Sequence, residues 1–236
     1  MIIYAELHCH TTFSDGWASP AACVRYAARR GLKILAITDH NTAAGALPYW
    51  QQPVQDGVLV IPGEEISTEL GHVLAFFVRE TIAPGPFETV VANIRDQGAL
   101  PFMAHPYHIA LGNRWRKKPI LKPTADHLNR LAGLEIYNGH NRSRANRLAV
   151  QLAHEKGLPA IAGSDAHLPW EIGNARTAFD LPNLGLDIVR VALELGQMQA
   201  LPRRVNAFPV YLTVGVLNRL MGRRYAWRPA SQQVTV

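Results

Sequence analysis

Short apolar runs alternate with longer amphipathic segments along most of the chain. Apolar runs bounded by turn residues are typical of strands, and apolar residues at helical spacing are typical of helices. This pattern predicts strands at 2–7, 34–37, 58–61, 73–78, 100–104, 134–137, 159–162 and 175–179, and helices at 19–30, 87–96, 125–131, 142–156 and 184–195. Strands that alternate with helices favour parallel β/α units. We therefore predict an α/β fold.

Residues with acidic or imidazole side chains follow nearly every predicted strand. They occur in His8-Cys9-His10, Asp39-His40, Glu64-Glu65, His105-Pro106, Asn138-Gly139-His140 and Asp165-Ala166-His167. In parallel barrels the C-terminal ends of the strands meet at one face, so we expect these groups to converge. Carboxylates brought together repel one another unless a cation neutralises them. The strand ends therefore indicate a metal site.

The first motif carries this argument most directly. Side chains two apart on a strand share a face, so His8 and His10 should point together while Cys9 faces away. Asp15 follows in a turn marked by Ser14 and Gly16. A pair of strand histidines satisfied by ordinary packing is the alternative for this motif alone. The convergence of the other strand ends favours metal binding.

Taken together, the motifs resemble those of the PHP (polymerase and histidinol phosphatase) family. The matching segments are 8–10 with 14–16, Thr38-Asp39-His40, Gly63-Glu64-Glu65-Ile66-Ser67, Gly71-His72, Ala104-His105-Pro106 and Gly163-Ser164-Asp165-Ala166-His167, in the family's order. The resemblance implies a distorted, TIM-like (β/α)7 barrel that holds two or three divalent metal ions. It also implies a metal-dependent phosphoesterase activity.

By position, the resemblance implies nine metal ligands. His8, His10, Glu65 and Asp165 resemble the ligands of one ion, and Asp15, His40 and His167 those of a second; His72 and His105 would hold a third, with Glu65 bridging. We choose Glu65 over Glu64 because the family glutamate directly precedes the Ile-Ser pair. His72 can reach the others if its strand folds back antiparallel from Glu65.

A mixed histidine and carboxylate set suits Mn²⁺, Zn²⁺ or Fe²⁺. Our hypothesis is hydrolysis of a phosphate ester by a hydroxide that bridges two metal ions. Asp165 would orient or deprotonate the bridging water, and His167 or His108 would assist the leaving group. The residues expected to attract or bind the anionic substrate are Arg114, Arg116, Arg142 and His140.

The substrate classes that fit are a small phosphomonoester, a nucleotide and the terminal phosphate of a short oligonucleotide. One subgroup of the family carries a helical insert between its third and fourth motifs, and the segment between His72 and His105 lacks it. A C–N hydrolase of the amidohydrolase type is one alternative, but no lysine follows a middle strand as that group requires. A non-catalytic, metal-stabilised module is the other, and the complete ligand set disfavours it.

The charge distribution divides the chain into two parts. Among 236 residues the net charge is +6, and no acidic residue follows Glu194 whereas six arginines do. The excess charge therefore belongs to the C-terminal region. We predict a single barrel domain at 1–200 and a basic tail at 201–236, partly packed or disordered. The tail could pack on the barrel, bind nucleic acid or an anionic membrane surface, or form a dimer contact.

The remaining composition suits a globular cytoplasmic protein. The hydrophobic fraction is 48%, and no apolar run approaches the roughly 20 residues of a membrane-spanning helix. Met1 leads directly into a predicted strand, which is not typical of a signal peptide. The two cysteines, Cys9 and Cys23, do not make a disulfide framework. We expect reduced thiols and infer no obligate protein partner.

Overall fold

A computed structural model describes residues 1–107 and 123–201. In this part of the chain ten strands form one mixed sheet. The strands are β1 (Ile2–Glu6), β2 (Ile34–Ile37), β3 (Val54–Gln55), β4 (Val58–Thr68), β5 (Gly71–Phe76), β6 (Leu100–Met103), β7 (Gly133–Asn138), β8 (Ala160–Gly163), β9 (Arg176–Asp180) and β10 (Met198–Leu201). The α-helices are α1 (Pro20–Arg29), α2 (Phe87–Asp96), α3 (Ala125–Asn129), α4 (Ser143–Lys156) and α5 (Leu186–Glu194).

The sheet is a nearly closed barrel. Its strand order is β10-β9-β1-β2-β4-β5-β6-β7-β8, with β3 paired to β4, and β8 lies beside β9 and β10. Strands β1, β2 and β4 are parallel, as are β6, β7 and β8. Strand β5 is antiparallel to both β4 and β6, and β9 is antiparallel to β1. The predicted TIM-like α/β barrel is confirmed, and the reversed strands β5 and β9 distort it.

Alternation along the strands separates the core of the barrel from the layer outside it. In β2, Ile34 and Ala36 join a central cluster that draws on nearly every strand, whereas Leu35 and Ile37 pack with α1. Phe76 and Phe102 lie in the central cluster with their ring centroids 5.4 Å apart. Both faces of the parallel strands are thus buried, which explains their continuous apolar runs.

Helix α1 shows how local sequence sets the element boundaries. The Ser19 hydroxyl accepts from the Ala22 N–H, Pro20 opens the helix, and Gly31 follows it at φ +72°. These are the residue types preferred at helix ends. None of the helices in the two described ranges is long and apolar enough to cross a membrane.

Three differences from the predicted elements have structural reasons. Strand β4 continues past the predicted end at Ile61, because Gly63 lets the chain pass where a Cβ would lie 3.0 Å from Ala75 O and Ile37 O. Strands β3 and β10 were not predicted. Both are short, and their strand conformation depends on pairing with β4 and β9 rather than on an apolar run of their own.

Candidate metal centre

All nine predicted ligands lie together at the C-terminal end of the parallel strands. They follow β1 (His8, His10 and Asp15), β2 (His40), β6 (His105) and β8 (Asp165 and His167), or lie within β4 (Glu65) and β5 (His72). The β4–β5 hairpin pairs Ser67 with His72, so the antiparallel return of β5 carries that imidazole back to the cluster, as expected. Eight of the nine side chains are almost completely buried, and that of His72 is 35% exposed.

Glu65 occupies the middle of the cluster. Its Oε1 lies 2.9 Å from both His72 Nδ1 and His105 Nε2, and its Oε2 lies 2.9 Å from His40 Nδ1. The Nε2 atoms of His8 and His10 each lie 3.4 Å from Oε2. Both oxygens of this carboxylate therefore face imidazole nitrogens; a bridge between two ions stays a prediction.

Two further carboxylates complete the cluster. Asp165 Oδ1 lies 3.1 Å from His10 Nε2 and 3.5 Å from His8 Nε2. Asp15 Oδ2 lies 3.1 Å from His167 Nε2. The His10 ring stacks against those of His40 and His167, with a centroid separation of 4.3 Å to each.

The donor atoms fit divalent cations. Four overlapping groups have ligand atoms within 4.8 Å of one another: His10, Asp15, His40 and His167; His8, His10 and Asp165; His8, Glu65 and His105; and His40, Glu65 and His72. No hydrogen bond from the described residues reaches His8 Nε2 or His10 Nδ1, although both atoms are buried. Buried nitrogen atoms without such a partner suit coordination to a metal ion. How the nine ligands divide among the ions remains a prediction.

The electrostatic environment also favours cations. Burial alone would raise the pKa of Asp165, but the nearby His8, His10 and His167 hold it well below its ordinary value. The same balance, with His40 and His72 first among the neighbours, lowers the pKa of Glu65. The pKa of His10 is lowered to about 3 by burial and by its neighbours His40 and His167. The carboxylates are therefore ionised, and His10 is a neutral nitrogen donor.

Glu135 is the most informative residue that the sequence analysis missed. Its buried carboxylate accepts hydrogen bonds from His8 Nδ1 at 3.0 Å, the His105 N–H at 2.9 Å and Asn138 Nδ2 at 3.0 Å. In the neutral form of His8, an Nδ1 that donates to Glu135 leaves on Nε2 the lone pair that a metal requires. Asn138 also donates to Asp165 Oδ2 at 3.3 Å. Glu135 thus positions two histidines of the cluster.

Other buried carboxylates hold the loops that carry the ligands. Asp39 accepts from the Thr11 N–H and from the hydroxyls of Thr11 and Ser14. Glu6 accepts from the N–H groups of His8, Ser164 and Gly173, and from the Ser164 hydroxyl. Each carboxylate ties together segments far apart in sequence.

Strained backbone occurs at the same place. Asn41, His105 and Asp165 have φ values of +53°, +26° and +55°. Positive φ is uncommon outside glycine, and such residues concentrate at functional sites. Each of the three is a predicted ligand or follows one directly.

Comparison with known proteins decides the family. A model of the PHP domain matches residues 6–120, and a model described as PHP-associated matches residues 143–198. The chain belongs to the PHP family. An uncharacterised protein of Methanocaldococcus jannaschii is 32% identical over 153 residues, which cover 58% of this chain and 83% of the relative.

Two further comparisons extend the likeness. The 5′-3′ exoribonuclease Rnm of Escherichia coli is 45% identical over 69 residues, which cover 28% of this chain and 23% of the enzyme. A crystal structure from Bacteroides vulgatus, of a two-domain protein containing a predicted PHP-like metal-dependent phosphoesterase, has a TM-score of 0.68 and 24% identity. The match covers 86% of this chain and 65% of that one. It shows that this PHP chain shares the barrel fold.

The remaining predicted site residues lie at different distances from the cluster. The His140 side chain is buried beside the cluster of predicted ligands. Its Nε2 lies 3.6 Å from Glu171 Oε2, and its ring centroid lies 5.5 Å from that of His167. Arg142 is exposed at the N-terminal cap of α4. Glu64 turns away from the cluster and accepts from the Ile82 N–H at 2.9 Å. His108, Arg114, Arg116 and the basic tail lie outside the described residues.

Proposed function

We propose that this PHP protein is a metal-dependent phosphoesterase. The observation that carries the proposal is the convergence of nine histidine and carboxylate side chains, eight of them buried, from six strands and their following loops in one cluster around Glu65. Bound divalent cations would lower the pKa of a water molecule and neutralise phosphoryl oxygens, which are the two requirements of phosphate-ester hydrolysis. The candidate ions are Mn²⁺, Zn²⁺ and Fe²⁺, two or three in number.

We assign Asp165 to orienting the attacking water. Its Oδ2 accepts from Asn138 while Oδ1 faces His8 and His10, so the carboxylate is fixed with one oxygen directed into the cluster. His167 donates from Nδ1 to the Asp165 carbonyl at 2.8 Å and directs Nε2 at Asp15. That geometry supports a ligand role for His167 more than proton donation to the leaving group. Binding of the substrate anion is left to His140 and Arg142 among the described candidates.

The proposed substrates are phosphate esters small enough to reach a buried cluster. The named activity of the E. coli relative directs attention to nucleic acid with a free 5′ end, although the matched segment is a small part of that enzyme. A nucleotide or short 5′-phosphorylated strand is therefore the first class to test, with simple phosphomonoesters beside it.

The test measures release of phosphate from monoesters and of mononucleotides from strands by metal-stripped protein resupplied with Mn²⁺, Zn²⁺ or Fe²⁺. Substrates are p-nitrophenyl phosphate, nucleoside monophosphates and bisphosphates, and 5′-phosphorylated oligonucleotides. We expect metal-dependent release from at least one of them. Asp165→Asn should reduce kcat by about 10²–10⁴-fold, while Asp187→Asn on the exposed face of α5 should not.

Asparagine tolerates the positive φ of residue 165, so the Asp165→Asn variant should fold. Circular dichroism and thermal unfolding check that it does. Full activity in the folded Asp165→Asn variant, or no release from any substrate with any of the three metals, would contradict the proposal.

A further inference from the structure

A groove of about 540 Å³ opens on the surface near the loops that follow β1 and β2. Residues that line it include Phe13, Gly45, Tyr49, Gln51, Gln52 and Gln55. Its volume lies within the range of small-molecule sites. None of the nine predicted metal ligands lines this groove.

Two residues of the groove, Phe13 and Gly45, belong to the loops that follow β1 and β2, which also carry ligands of the metal centre. Phe13 stands two residues before Asp15, and its ring packs over Gly45, where a Cβ would meet both the ring and the Asp39 carboxylate at 3.0 Å. Asp39 is followed by His40 and accepts from the Ser14 hydroxyl at 2.6 Å. A molecule in the groove therefore adjoins the loops that carry two of the ligands.

Phe13 presents a ring to solvent in a fixed position. The residue is 52% exposed, yet its backbone N–H donates to the Thr11 hydroxyl and the loop is held by Asp39. Gly45 lacks the side chain that would displace the ring. An exposed aromatic ring held in this way is suited to stacking on another planar group.

The groove suits an uncharged group, whereas the metal centre suits a charged one. None of the described residues lining the groove is charged, and the three glutamines offer amide donors and acceptors. The adjoining centre suits an anion once cations are bound. A second groove, near the β4–β5 turn, contains Glu69, whose charge would oppose a phosphorylated ligand.

We propose that the uncharged groove binds the nucleobase of a nucleotide whose phosphate lies at the metal centre. A base is planar, uncharged and rimmed with hydrogen-bonding groups, which matches a groove whose lining includes a phenylalanine ring and three amides. This inference rests on the proposed phosphoesterase function and names its substrate class. The base could belong to a free nucleotide or to the terminal nucleotide of a single strand.

The test compares substrates that differ only in the base. With Mn²⁺, kcat/KM is measured for adenosine 5′-monophosphate, a 5′-phosphorylated trinucleotide and ribose 5-phosphate, which lacks a base. Phe13→Ala should lower kcat/KM for the two nucleotide substrates about 5- to 100-fold, the range expected for one stacked base. It should leave ribose 5-phosphate unchanged. Phe13→Tyr keeps the aromatic face and should retain most of the activity.

A matched control removes an aromatic ring elsewhere. Tyr4 is 38% exposed on β1 and does not line the groove, so Tyr4→Ala should leave all three substrates unchanged. A greater loss on the trinucleotide than on adenosine monophosphate would identify a strand end as the source of the base, and equal losses a free nucleotide. Equal losses on ribose 5-phosphate, or no loss on the nucleotides, would overturn the inference.

A binding measurement separates this inference from the proposed function. Calorimetry on the Asp165→Asn protein with Mn²⁺ compares adenosine monophosphate with ribose 5-phosphate, before and after Phe13→Ala. The inference is supported, even if no substrate is hydrolysed, when adenosine monophosphate binds more tightly than ribose 5-phosphate and Phe13→Ala abolishes that difference. Equal affinity for the two ligands would reject it even in an active enzyme.

Discussion

Replacing Glu135 by glutamine tests how the cluster is held, because it keeps the side-chain shape and removes the charge. All three partners of this buried carboxylate are donors: His8 Nδ1, the His105 N–H and Asn138 Nδ2. A glutamine offers one acceptor oxygen, and its amide nitrogen would face a donor. Either one partner loses its bond, or His8 takes its other tautomer, accepts the amide N–H at Nδ1 and carries its proton on the Nε2 that faces the cluster.

The expected magnitude follows from those three bonds. A hydrogen bond to a charged group contributes about 1.5–3 kcal/mol, and a buried donor left without an acceptor costs about 1–3 kcal/mol. Loss of the group that orients a metal-binding histidine typically weakens metal affinity by about 10- to 100-fold. We expect Glu135→Gln to weaken metal affinity by that factor and to lower the free energy of unfolding by about 1–3 kcal/mol.

Calorimetric titration of metal-stripped protein with Mn²⁺ measures the affinity, and urea unfolding of the same protein measures stability. Glu155→Gln, on the exposed face of α4, is the matched control and should change neither quantity. Unchanged metal affinity in Glu135→Gln would refute the claim that this carboxylate positions His8. A loss of stability alone would assign Glu135 a purely structural role.

Three other perturbations have definite expected outcomes. Gly163→Ala would place a Cβ against His8 and Glu135, so the Mn²⁺ affinity measured by titration should fall at least about 10-fold. Gly85→Ala is the control, because nothing lies near that position. Equal Mn²⁺ affinities of the Gly163→Ala and Gly85→Ala proteins would contradict the packing argument. Chelation should lower the thermal midpoint, since an ion at 100 times its Kd stabilises the folded state by about 2.7 kcal/mol, and an unaltered midpoint in a thermal scan would exclude tight binding. Phe102→Ala should cost about 3–5 kcal/mol in urea unfolding because the ring is fully buried, and a loss below 1 kcal/mol would show that the core is not close-packed there.

Much of the barrel could be predicted because its parallel strands are buried on both faces. Ile34–Ile37 and Phe87–Asp96 have the bounds that the apolar pattern predicted. The pattern failed where pairing decides the conformation, as in Met198–Leu201, which forms a strand against β9. It also ended β4 too early, because Pro62 and Gly63 resemble a turn in the sequence.

The cluster was accessible from the sequence for a different reason. Most of its members directly follow strands, so the β/α pattern brings them to one end of the barrel. His72, at the start of its antiparallel strand, was assigned through the family resemblance. Glu135 carries no such signal: it lies inside an apolar strand, and its role depends on a histidine 127 residues away. A charged residue inside an otherwise apolar strand is the one sign that could have identified it. Phe13 could be seen in the sequence, but its exposure could not.

The most direct measurement of the central claim is anomalous diffraction from crystals grown with Mn²⁺, recorded at the manganese absorption edge. The account predicts two or three ions among His8, His10, Asp15, His40, Glu65, His72, His105, Asp165 and His167, at least two of them close enough for Glu65 to bridge. No anomalous peak in this cluster, or ions bound only elsewhere on the molecule, would contradict it.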